Sequence, residues 1–119
     1  MNHVSESYSV NDHFVGKDPS VRKLYDRLIS VLRKLGPIRE EAKKTSIHLV
    51  NVSALAGVEV RKDYLLLNLK SDHKIRNPRI EKSEQISARR FHHKVKVSSL
   101  GDFDNELQEW LREAYELSR

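Results

Sequence analysis

With 119 residues, 38% of them hydrophobic and 33% charged, the chain carries enough apolar material for one core and not for two. The apolar run Leu65 to Leu67 is far too short to span a bilayer, and Met1-Asn2-His3-Val4-Ser5 lacks the basic-then-apolar pattern of a secretory leader, so no membrane contact and a cytoplasmic location are expected. The absence of cysteine excludes a disulfide, a thiolate nucleophile and a Cys-ligated metal site.

The net charge of +5 is unevenly spread. Residues 37 to 98 hold fourteen Lys/Arg against seven Asp/Glu, whereas residues 99 to 119 hold two against six. A basic middle permits association with a polyanion, although charge speaks to partners and not to fold.

Residues 1 to 17 show no sustained period and form an N-terminal arm, with Phe14 and Val15 as candidate anchors. A single α+β domain is expected over residues 18 to 119. Asp18 is a good N-cap and Pro19 suits the first helical position. Val21, Leu24, Tyr25, Leu28, Val31, Leu32 and Leu35 follow at three- and four-residue spacings, an apolar stripe that predicts a helix closed by Gly36-Pro37.

From residue 38 the period changes to two, which predicts four to five strands. The first carries Ile47 and Leu49 inward and Ser46, His48 and Val50 outward. Leu55 to Val60 is the second, with Ala56-Gly57 suited to a bulge or a close backbone approach. Tyr64 to Lys70 is apolar on both faces and therefore central. Ser71 to Pro78 is the longest internal loop, Arg79 or Ile80 to Ser87 a weaker strand, and Ala88-Arg89 its turn. In the last strand Phe91, His93, Val95 and Val97 alternate with His92, Lys94 and Lys96, core on one side and basic on the other. Ser98, Ser99 and Asp102 are N-cap candidates for a second helix that buries Phe103, Leu107, Trp110, Leu111 and Ala114. The order helix, antiparallel strands, helix predicts an α+β fold: one sheet, both helices on one face, the other face partly open.

Several of these segments together resemble a bacterial family of domains of unknown function, the set numbered five-six-five-five. The shared pattern is Ser9-Val10-Asn11-Asp12-His13-Phe14, Val21-Arg22-Lys23-Leu24-Tyr25-Asp26, Lys43 to Val50, Ala56-Gly57-Val58 with Arg61-Lys62, Phe91-His92-His93, and Trp110-Leu111-Arg112-Glu113-Ala114-Tyr115. The resemblance runs from about Tyr8 to Ser118 and brings no established activity with it. It also implies that some relatives join the domain to a short N-terminal zinc-binding stretch ending in a His-Ser-Cys type sequence, with a weak hint of nucleic-acid association. Here the equivalent stretch, His3-Val4-Ser5, has no Cys, so no metal or other cofactor is expected.

The polar rows leave a tentative ligand-binding set: Lys44, Ser46, His48, Arg61, Lys62, His92 and Lys94. Lysine and arginine would supply charge to an anion, and Ser46, His48 and Thr45 directional hydrogen bonds. The plain alternative is a set of solvated lysines beside a histidine bonded within the sheet. His93, on the apolar row, is expected to be a satisfied core histidine, and its opposite facing from His92 keeps the two from chelating one metal. Ser46 and His48 share a strand, but no carboxylate is posed behind His48 and no glycine elbow surrounds Ser46, so catalysis is not expected. Among exposed aromatics only Tyr64 offers a stacking platform. The composite expectation is a small binding module whose basic sheet face takes nucleic acid or another anionic partner. The alternative is a non-catalytic protein-interaction or self-association domain, a homodimer through the same face.

Overall fold

The computed structural model describes residues 7–119, so the His3-Val4-Ser5 stretch lies outside the described residues. Its first long element is α1 (Pro19–Arg33), and Asp18 caps it by accepting a hydrogen bond from the Ser20 N–H at 2.9 Å. The stripe read from spacing is the buried one: Val21, Leu24, Tyr25, Leu28, Ile29, Val31 and Leu32 all face the core. Ahead of α1, a 3-10 turn (Asn11–Phe14) sets Phe14 edge-on against Tyr25 at 5.2 Å, whereas Val15 is 77% exposed and anchors nothing.

Six strands follow, where four to five were expected: β1 (Arg39–Ala42), β2 (Ile47–Val50), β3 (Ala54–Val60), β4 (Leu65–Ser71), β5 (Ile80–Ser87) and β6 (Arg90–Val97). The additional one is β1, whose sequence Arg-Glu-Glu-Ala has no apolar alternation to betray it. It is held instead by pairing with β2 and by Glu40, which accepts hydrogen bonds from Tyr25 Oη at 2.6 Å and from Arg33 at 3.2 Å. All neighbours are antiparallel, in the order β1-β2-β3-β4-β6-β5, so β4 is central and β1 and β5 are the edges.

Strand alternation sends Ile47, Leu49, Val58, Val60, Leu65, Leu67, Leu69, Val95 and Val97 to one face, where all are buried. Both helices cover that face. A register shift between β2 and β3 makes Leu55 an extra residue, and Leu55 and Ala56 are consequently both buried. The second helix, α2 (Asn105–Leu117), buries Leu107, Trp110, Leu111, Ala114 and Tyr115. Its cap is Asp104, which accepts from the Leu107 N–H at 3.0 Å, while Ser99 and Asp102 cap the separate 3-10 turn Leu100–Asp102 just before it. Gly36 is the one glycine on which the helix packing depends. Its φ is +155°, and a Cβ there would lie 3.0 Å from Tyr115 Cζ and inside contact distance of Tyr115 Oη, the hydroxyl that donates to the Pro37 carbonyl. Among the described residues no helix is long and apolar enough to cross a membrane.

Candidate functional site

The face opposite the helices is open, and strand register decides what meets on it. Successive pairings align Glu41, His48, Gly57, Asn68, Lys94 and Lys82 in one row straight across all six strands. The next row runs Lys70, His92, Glu84. Because Gly57 has no side chain, the first row is interrupted by a dip: a Cβ at Gly57 would lie 4.0 Å from His48 Cδ2 and 3.9 Å from Asn68 Cβ. His48, Leu55, Gly57, Asn68, Lys70 and His92, with Ala54 and Ala56, line the resulting hollow of about 200 Å³. A second hollow of about 210 Å³ shares Asn68 and His92 and adds Lys82, Glu84 and Lys94.

The polar groups in these hollows are only partly spent. Asn68 Oδ1 is buried and, among the described residues, has no hydrogen-bond partner, a state that normally costs free energy until a donor reaches it. Neither the His48 nor the His92 imidazole has a hydrogen-bond partner among the described residues. Lys70 donates to Ser53 Oγ at 3.4 Å and has no carboxylate partner among those residues. Partial burial, and secondarily the nearby Arg90 guanidinium, holds its ammonium below the usual lysine range. Lys94 reaches Glu59 at 3.5 Å. Strand pairing puts Arg39, Lys70, Lys82, Arg90, Lys94 and Lys96 on this face together with Glu41, Glu59 and Glu84.

Of the residues singled out from sequence, His48, His92 and Lys94 come together at the hollows. Lys44 and Ser46 do not sit on a strand face but in the β1–β2 hairpin turn, which closes through Lys43 N–H to the Ser46 carbonyl at 2.8 Å. Arg61 and Lys62 form part of the β3–β4 turn at the same end of the sheet. Arg61 pairs with Glu59 at 2.7 Å, while the Lys62 carbonyl accepts from the Asp18 N–H at the start of α1. Gly57, Asn68, Lys70 and Lys82 escaped the sequence reading. Single-strand alternation would put them outward, but only the pairing register shows that they share a hollow.

Catalytic geometry is not assembled around Ser46 and His48. The carboxylate nearest in register to His48 is Glu41, and it is engaged by Arg39 at 3.3 Å and Lys43 at 3.7 Å. Among the described residues no three His, Cys, Asp or Glu side chains are grouped to hold a metal ion. Tyr64 is covered by Lys96, whose Nζ lies 4.5 Å from the ring centroid, and so is not a free stacking platform.

His93 belongs to the core: it is fully buried and both ring nitrogens are bonded. The Ser71 hydroxyl donates to the His73 carbonyl, so His93 Nε2–H must donate to Ser71 Oγ at 2.8 Å, which leaves Nδ1 to accept from the Ser83 hydroxyl at 2.8 Å. Desolvation holds this imidazole below the usual histidine range, against a smaller upward pull from the His73 carbonyl.

No curated protein and no solved structure matches the chain. One family model does, over residues 10–118, and that span takes in both helices and all six strands. The chain therefore belongs to the family described as Domain of unknown function (DUF5655).

Proposed function

We propose that this domain is a non-catalytic binding module whose open sheet face takes a polyanion, with nucleic acid as the partner. The observation that carries the reading is the glycine-floored hollow, where Lys70, Lys94 and Lys82 surround His48, Asn68 and His92. Phosphate groups are held by just such ammonium groups, and the release of their counterions supplies most of the affinity of nonspecific nucleic-acid binding. The two imidazoles present flat faces on which a base can stack, and Asn68 Oδ1 offers an unsatisfied acceptor to a base N–H. Lys44 and Arg61, in the two turns at one end of the sheet, extend the basic path beyond the hollow.

Gly57→Val tests this with little risk to the fold. The position is regular strand, the nearest atoms to a new Cβ are at ordinary contact distance, and valine favours strands. The variant is expected to fold at wild-type stability and to lose about tenfold in affinity for single-stranded oligonucleotides, because its side chain fills the hollow. A variant that folds and binds as tightly as the wild type removes the hollow from the binding face.

A further inference from the structure

The free edge β5 is the most exposed of the long strands, with β6 its one strand partner. Only Ile80 and Ser83 are even half-buried, so the strand contributes little to the core and depends on backbone pairing. Its sequence is nevertheless patterned. Two copies of one strand paired antiparallel about a two-fold axis must match residues of equal parity, because paired side chains share a face. Centring the pair on Lys82 sets lysine against lysine, and centring it on Glu84 sets glutamate against glutamate. Centring it on Ser83 sets Lys82 against Glu84 twice, within the regular stretch between the two bulges of the strand. Just beyond that stretch Ile86 is a large apolar side chain left 52% exposed.

We propose that two copies of this chain associate through β5, antiparallel and centred on Ser83, to form one continuous sheet. Charges on an edge, and bulges such as those at Glu81 and Ile86, usually deter pairing with foreign strands. Here like charges oppose the registers centred on Lys82 and Glu84, the register centred on Gln85 gains no ion pair, and two cross-strand Lys–Glu pairs favour the one centred on Ser83. The Ser83 hydroxyl stays turned toward His93 on the helix side, so the core hydrogen bond is kept. Both open faces lie on the same side of the joined sheet, and the seam takes in Lys82 and Glu84 at the rim of the second hollow but no residue that lines the glycine-floored one. The association does not depend on what the open face binds.

Sedimentation equilibrium of the full chain, with circular dichroism to verify folding, tests the pairing by charge exchange. The wild type is expected to be a dimer at tens of micromolar, and K82E and E84K each to weaken the dimer at least tenfold, since each creates two like-charge pairs. The double variant K82E/E84K restores the complement with the signs exchanged and is expected to recover the dimer. A wild type that stays monomeric at millimolar concentration overturns the proposal. So does a dimer indifferent to the single reversals, or a double variant no better than the singles.

Discussion

Replacing Tyr25 by Phe removes one oxygen and tests how β1 is held. Tyr25 is buried, and its hydroxyl donates to Glu40 Oε1 at 2.6 Å, a short bond to an ionised acceptor from the helix layer to an edge strand of four residues. Hydrogen bonds to charged groups contribute about 1.5–3 kcal/mol. Glu40 is a quarter exposed and keeps Arg33 at 3.2 Å, so its carboxylate is not orphaned, and the lower end, about 1.5 kcal/mol, is expected. For a domain of this length that corresponds to a fall in Tm of roughly 6 °C. Burial, reinforced by the Glu40 hydrogen bond and charge, holds the Tyr25 phenol far above its ordinary value. The folded state therefore retains a proton that the unfolded chain releases near pH 10, and wild-type stability declines as pH rises above that value. Tyr25→Phe lacks this decline. Thermal melts at neutral pH and at pH 10 and above, with amide exchange along Arg39–Ala42, measure both effects. A variant as stable as the wild type, with β1 amides equally protected, would refute the claim that this bond anchors β1.

Gly36→Ala meets the Tyr115 ring and adopts a backbone angle that L residues rarely take; a loss of about 2–4 kcal/mol in urea denaturation is expected, partly recovered in Gly36→Ala/Tyr115→Phe. Because His93 resists protonation in the fold, its contribution to stability is complete above about pH 6.5 and is lost as pH falls from there toward its lower folded value. Denaturant midpoints should show that slope, and His93→Gln should flatten it. Arg79 donates to Asp104, to Glu106 and to the Asp102 carbonyl at 2.8 Å while lying over Trp110. Arg79→Ala should lower Tm by several degrees, with Arg79→Lys recovering less than half because lysine cannot reproduce the fork or the stacking.

Both helices were legible because their apolar stripes are long and α1 opens on Asp18-Pro19, a strong start signal. The strands β2, β3, β4 and β6 were legible because their apolar residues alternate, and β5 was legible only weakly, since its pattern does not. β1 was not: its inward side chains are the small Ala42 and Glu40, a charge that is satisfied only once α1 delivers Tyr25 and Arg33 to it. For the open face, alternation within one strand oriented His48, His92 and Lys94. Their convergence with Gly57, Asn68 and Lys70 depends on lateral register across several strands, which local pattern does not encode. Reading the chain by polar rows grouped Lys44, Ser46, Arg61 and Lys62 with the strand residues His48, His92 and Lys94. Hairpin closure places Lys44 and Ser46 in one turn and Arg61 and Lys62 in another, where side chains leave the strand alternation.

The salt dependence of oligonucleotide binding tests the central claim most directly. If Lys70, Lys82 and Lys94 each neutralise a phosphate of a single strand, replacing all three by Gln should weaken binding and reduce the log Kd against log salt slope by about 2. A wild type with no measurable affinity for DNA or RNA at low salt would contradict the account. So would a triple variant with wild-type affinity and slope.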